Sequence, residues 1–471
     1  MVNAGERVLG LCIVSMIVGT ARGAMPPVPV PPENPITEGK RVLGKTLFWD
    51  EQLSSDGTIA CGTCHVSGRS MSDPRIGVHP GADGLFGSPD DILGSPGVVR
   101  RDHNLDPIFD DVFGFNPQVT GRSAPTAMGG AQYAADLFWD GRARSTFIDP
   151  QTSAVSIPLG GGLESQAIGP VLSDVEMAHE GRTWEDVIEK LGIVEPMALA
   201  RNVPSDVASA LLGEPSYPDL FEAAFGDSAI TAERIAFSIA TYERTLIPDQ
   251  TPWDRFTGGD PTALTSGQQL GLFFFSNGPI TCRICHAPPL FTDNTFRNIG
   301  LRPWEEDVGR FDVTQDFSDR GRFKVASLRG VGLKSRFMHN GRLASLNQVI
   351  DFYMGINGQV QFPENRDPLV PQNFVPPPVR SAFIDFLTNG LTDPRVANEV
   401  FPFDRPWLHS ELGDGNRDGV VDIADFDGFL ECVGNPGAAD ADAGCLLFDF
   451  DGDGGVDFAD FADFQIRIQE P

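Results

Sequence analysis

Two copies of one five-residue pattern limit what this chain can fold into. Cys61-Gly62-Thr63-Cys64-His65 returns as Cys282-Arg283-Ile284-Cys285-His286. A Cys-x-x-Cys-His run is the attachment site of a c-type haem: the thiols add to the porphyrin vinyl groups and the adjacent histidine binds iron. The chain has seven cysteines, and these two runs use four of them. A pair of Cys-x-x-Cys knuckles can also hold one structural zinc, but that leaves both histidines idle. A thioredoxin-like redox motif needs a βαβ setting, and neither copy shows one. Haem c at both sites is therefore expected, held by Cys61, Cys64, His65, Cys282, Cys285 and His286.

Length and charge narrow the setting. A chain of 471 residues has room for about three domains. The net charge of −30 excludes nucleic acid as a natural partner and favours a basic electron donor at low salt. Arg7, the apolar run Val8 to Gly19, and small residues at Ala21, Gly23 and Ala24 read as an export signal over 1–24. That run is too short to span a bilayer, and Cys12 would be lost with it. Export to the periplasm or beyond suits haem c, which bacteria attach outside the cytoplasm.

Met25 to Pro35 is a proline-rich, extended leader. Residues 81–120 are rich in Gly, Asp and Pro and read as a long loop. Helices are expected at Trp184 to Leu191 and Thr231 to Leu246. Others are expected from a Thr265/Gln268 capping box to Asn277, from Ser345 to Gly355, and at Arg380 to Leu387. Strand-like alternation is almost absent. The expected fold is mainly α: two cytochrome c-like haem domains (36–250 and 251–395) and a small calcium domain (412–471).

The haem motifs, Phe138-Trp139-Asp140-Gly141-Arg142, the run Leu163 to Met177, Phe323 to Arg329 and His339-Asn340-Gly341-Arg342 together resemble the bacterial dihaem cytochrome c peroxidases. That family includes the MauG-type enzymes. The resemblance spans residues 36–392. It implies that peroxide reacts at the first haem and that electrons enter at the second. It points to Glu176 as the proton shuttle, to Gln166 and Pro170 beside it, and to Trp139 between the haems. A buried carboxyl suits the shuttle, because burial raises its pKa towards working pH. His79, with His103 as second choice, would bind the first iron at rest. Tyr353 falls at the ligand position of the second iron, with Met354 and Met338 as alternatives; Met would raise the potential and Tyr lower it. The family's inter-domain calcium is cast into doubt, because Arg122-Ser123-Ala124-Pro125 puts a serine where an Asn side chain is the ligand.

The tail is a separate unit, with 13 Asp and 2 Glu against 2 Arg over 412–471. Asp414, Asn416, Asp418, Asp422 and Asp425 fall at positions 1, 3, 5, 9 and 12 of an EF-hand loop, with Gly419 at 6. Asp449, Asp451, Asp453, Asp457 and Asp460 repeat the pattern. The pair resembles dockerin-like repeats and predicts two calcium ions. A core of Phe426, Phe429, Phe458, Phe461 and Phe464 is expected, as is a Cys432–Cys445 disulfide.

Function then divides three ways. The first is reduction of hydrogen peroxide with electrons from a small cytochrome or cupredoxin. The second is MauG-type oxidation of a protein or organic substrate. The third is a dihaem carrier without turnover. A homodimer and a docking partner for the tail stay open.

Overall fold

The computed structural model describes residues 24–277, 282–359, 361–370, 374–416, 420–433, 444–451 and 455–468. The export signal, Asp418, Gly419 and Asp453 lie outside the described residues. Among these residues no helix is long and apolar enough to cross a membrane.

The first core is built on two crossed helices, Glu38–Trp49 and Ala232–Glu243. Leu43, Leu47, Phe48 and Trp49 bury against Ile235, Ile239 and Tyr242, each worth roughly 1.5–3 kcal/mol. The backbones touch at Gly44, where a Cβ would strike the Ser238 carbonyl. At the end of the first helix, Trp49 Nε1 donates to the Tyr242 hydroxyl at 3.0 Å. Its ring lies where a Gly62 Cβ would be, so Gly62 lets the first haem motif seat directly on the indole.

The Glu38–Trp49 helix has no polar stripe to betray it. Lys40, Arg41 and Lys45 are buried in it, and their charges are met by Asn34, Glu38, Asp206 and Asp404. The second core packs the Ser266–Asn277 and Pro377–Asp385 helices together, with Leu346–Met354 alongside. Ser345 caps the last of these through the Gln348 amide, and Gly355 ends it with positive φ, as expected.

The long loop needs correction. Four two-stranded antiparallel ribbons occur among the described residues, and two involve 81–120. Gly77–His79 pairs with Ile92–Gly94, and Pro96–Val99 with Pro117–Val119. Strands of three or four residues containing Gly and Pro are too short to show a period of two.

Residues 394–408 turn back onto the first core through Val396, Phe403 and Leu408. There the Glu51 carboxylate accepts the backbone N–H of His409 at 2.6 Å and of Ser410 at 2.9 Å. A third apolar cluster holds Trp407, Leu412, Phe429, Phe448, Phe450 and Phe464. It contains the Cys432–Cys445 disulfide. Phe426 and Phe461 pack against it. Phe458 does not: it is 86% exposed. It is the first residue of the Phe458–Arg467 helix, where the helical turn points away from the core. Phe448 and Phe450 take its place.

Candidate active site

Each haem motif begins as a single helical turn, Cys61–Cys64 or Cys282–Cys285, which brings both thiols to one side. The histidine that follows is fixed by its ring. His65 Nδ1 donates to the Met71 carbonyl at 2.9 Å, and His286 Nδ1 to the Phe291 carbonyl at 3.1 Å. This tautomer leaves Nε2 as the free lone pair that an iron needs. Burial holds both imidazoles below the usual histidine pKa, which keeps them neutral and able to ligate. The donor set fits haem c at both sites.

A cavity of about 520 Å³ opens beside the first motif. Cys61, Cys64, His65, His79, Trp139, Gln166, Pro170 and Glu176 all line it, so residues far apart in sequence converge on one space. Glu176 lies in a turn after the Pro170–Leu172 helical turn. Burial raises its carboxyl above the usual range, and Arg142 draws it part of the way back. Arg142 was not singled out from the sequence. Its guanidinium stacks 3.7 Å from the Phe138 ring centroid and pairs with Asp140 at 3.1 Å. His79 ends a strand, and its Nδ1 accepts from the Gly81 amide at 3.1 Å. His103 is exposed and is not among the residues lining the cavity.

A second cavity, about 200 Å³, holds Cys282, Cys285, His286, Met338, His339 and Tyr353. Burial pushes the Tyr353 phenol up. Met354 packs in the surrounding apolar cluster without lining this space. Lys324 and Lys334 do line it, and burial lowers each to about 8. Neither was anticipated from the sequence, since a lone lysine carries no motif.

Trp139 lines both cavities. Its indole N–H donates to the Ser123 carbonyl at 2.7 Å, and its own carbonyl accepts from Lys324 at 2.8 Å. His339 lies edge-on to it at 6.4 Å and stacks on Phe323 at 3.5 Å. The Ser123 N–H donates to the His339 carbonyl at 2.7 Å. Arg122 ties the two halves together, reaching Asp140 at 2.6 Å and Asp307 at 2.6 and 2.7 Å.

In the tail, oxygens of Asp449, Asp451 and Asp460 lie within 4.8 Å of one another. Asp460 accepts from the amides of Phe450 and Asp457 at 2.7 and 2.8 Å. In the first loop, Asp425 accepts from Asn416 and Asp422, both at 2.9 Å. Asp414 is buried and Asp422 caps the turn that follows.

Comparison with known proteins places this geometry. The sequence model of the family described as Di-haem cytochrome c peroxidase matches residues 38–262. The methylamine utilization protein MauG of Methylorubrum extorquens is 29% identical, covering 69% of this chain and 72% of its own. The cytochrome c551 peroxidase of Pseudomonas aeruginosa is 27% identical, covering 78% and 83%. Two solved structures share the fold. A MauG-like protein associated with microbial copper homeostasis has a TM-score of 0.54 at 22% identity, covering 81% of this chain and 96% of its own. The diheme peroxidase BthA of Burkholderia thailandensis has a TM-score of 0.50 at 19% identity, covering 80% and 91%. With two haem-binding motifs, each opening on its own cavity, and an indole as their common wall, this chain is similar to the di-haem cytochrome c peroxidases and MauG proteins, the family model matching it over residues 38–262.

Proposed function

We propose that the protein reduces hydrogen peroxide to water with electrons from a small cytochrome or cupredoxin. One observation carries this: Trp139 separates a carboxyl-lined cavity at His65 from a carboxyl-free one, among the described residues, at His286. Bound at these two motifs, haem supplies a binding site for peroxide at one iron and a one-electron relay at the other. Glu176 accepts the proton of the near peroxide oxygen and returns it to the far one, so that water leaves. Its raised pKa suits a group that must both take and give. Arg142 lowers the Glu176 pKa and so favours the carboxylate form that acts as base. Gln166 and Pro170 shape the wall around it. To cap the first iron at rest and then move aside, His79 would have to release the Gly81 amide that its Nδ1 accepts. Trp139 bridges the two cavities as the electron route.

The test is peroxide turnover by the holoprotein with a reduced donor cytochrome. Glu176→Gln should lower it about 10²–10⁴-fold with both haems still attached. Unchanged turnover would defeat the assignment.

Tyr353 favours a second reading. A phenolate on the second iron would lower its potential and let both irons hold oxidising equivalents, as a MauG-type oxidation of a protein or organic substrate requires. A near-infrared Met–haem band would exclude it.

The finer assignments rest on residue pattern. The haem units run over 36–250 and 251–395, and residues 1–24 direct export to the periplasm or beyond. The tail, 412–471, binds two calcium ions in EF-hand-like loops, and either docks the enzyme to a partner or surface or stabilises it in calcium-rich surroundings. The carboxylate cluster at Asp449, Asp451 and Asp460 supports the calcium assignment.

A further inference from the structure

Glu243 has no part in that scheme, yet it occupies the same cavity. It ends the Ala232–Glu243 helix and is 3% exposed. It lines the first cavity beside Cys61 and His65, and its Oε2 is buried without a hydrogen-bond partner among the described residues. Leaving such a group unpaired costs roughly 1–3 kcal/mol. The neighbouring cation does not relieve it: Arg244 is committed to Glu164, at 2.7 and 2.9 Å. Gln132 donates to the Glu243 backbone carbonyl, not to its carboxyl.

The charged groups around it can be named. Arg244 adjoins it at the end of its own helix, and Glu164 stands on Gly162–Ala167. On Glu38–Trp49, Lys40 is tied to Asn34 at 2.7 Å and feels the Arg244–Glu164 pair. Cys61, His65, Glu176 and Arg142 share the cavity. Burial raises the Glu243 carboxyl to about 8, Arg244 pulling it down and Glu164 pushing it up.

Peroxide reduction consumes two electrons and two protons per two waters formed. Glu176 only passes a proton between the two oxygens of one peroxide, so the protons consumed must enter from elsewhere. We propose that Glu243 is the proton-linked group of the first haem site, taking up one proton from solvent for an electron that arrives at the iron held by His65. This rests on the haem assignment above. The balance is one electron from the donor protein to ferric iron, giving ferrous iron, and one proton from solvent hydronium to the carboxylate: one O–H bond breaks in the hydronium, leaving water, and one forms on Glu243. The coupling follows from charge. Reduction removes one positive charge from the cavity, so the carboxylate is less stabilised and its pKa rises. Between the oxidised-state and reduced-state pKa values the midpoint falls as pH rises, and outside that window it is flat.

The experiment is a spectropotentiometric titration of the first haem in the holoprotein, from about pH 6 to about pH 9. The wild type should show a reduction equilibrium constant that falls towards tenfold per pH unit within this window. Glu243→Gln should be flat, and Glu176→Gln should keep the slope. A wild-type midpoint independent of pH, or a slope that persists in Glu243→Gln, overturns the inference. Because that variant can fail to fold, infrared difference spectra of the wild type provide a second readout. Reduction should add the carbonyl stretch of a protonated carboxylic acid, and its absence also overturns the inference. Fewer than two haems per chain in the wild type would instead defeat the peroxidase reading.

Discussion

The two haem cavities differ in charge, the first mixing carboxyls with Arg122 and Arg142. Glu176, Glu243, Glu306 and Asp307 line the first; among the described residues no carboxyl lines the second, which has Arg297, Lys324 and Lys334 instead. In a poorly solvated space such groups act at close to full strength. Carboxyls store and move protons, while cations favour an added electron. The Cys-x-x-Cys-His pattern is the same at both sites, so the difference between the cavities comes from side chains contributed by other parts of the chain. Trp139, in both walls, joins the two environments without mixing them.

Removing one haem at a time breaks the comparison most severely. Cys61→Ser with Cys64→Ser should abolish peroxide turnover and leave the second haem's spectrum. Cys282→Ser with Cys285→Ser should leave peroxide binding intact but end turnover with a donor cytochrome. Haem counts and stopped-flow mixing decide it; turnover surviving in the first variant would reverse the assignment of the cavities.

Next in size is Tyr353→Met. With a phenolate ligand replaced by a thioether, the second midpoint should rise by on the order of 0.1 V, within the roughly 0.8 V that axial ligands span. An unchanged midpoint would remove Tyr353 from the iron.

Arg142→Leu sharpens the first cavity. Arg142 lowers the Glu176 pKa, so its loss should raise that pKa further. Turnover needs the carboxylate to accept a proton, and it fails as pH drops through the folded-state pKa. The acid limb of the pH–rate profile should therefore move to higher pH; a move to lower pH would contradict the sign.

The smallest effect is mechanical. Arg122→Gln cuts the link from Asp140 to Asp307, three charge-assisted bonds in a partly buried site. A loss of about 2 kcal/mol is expected, read as a fall in Tm of about 4–8 °C. No change in Tm would mean that the junction is held by packing alone.

Much of this was legible in the residues and much was not. The haem motifs, the Ser345-to-Gly355 helix and the Cys432–Cys445 pair are local patterns, and the structure keeps each of them. The Glu38–Trp49 helix was missed because its charges are buried in pairs with Asn34, Asp206 and Asp404, which erases the polar stripe. Glu243, Lys324 and Lys334 were missed because a single ionisable residue has no pattern. Its meaning depends on what surrounds it. Phe458 was misplaced because spacing alone does not say which way a helix enters its core.

By itself the sequence determined the covalent chemistry, since cysteines separated by two residues and a histidine beside them need only one helical turn to serve a porphyrin. The tertiary structure decided which cavity gathers carboxyls and which is lined by cations. Charge and desolvation act through space, and the groups that set them, Glu176 and Glu243 at one iron and Lys324 and Lys334 at the other, meet the motifs only after the chain has folded.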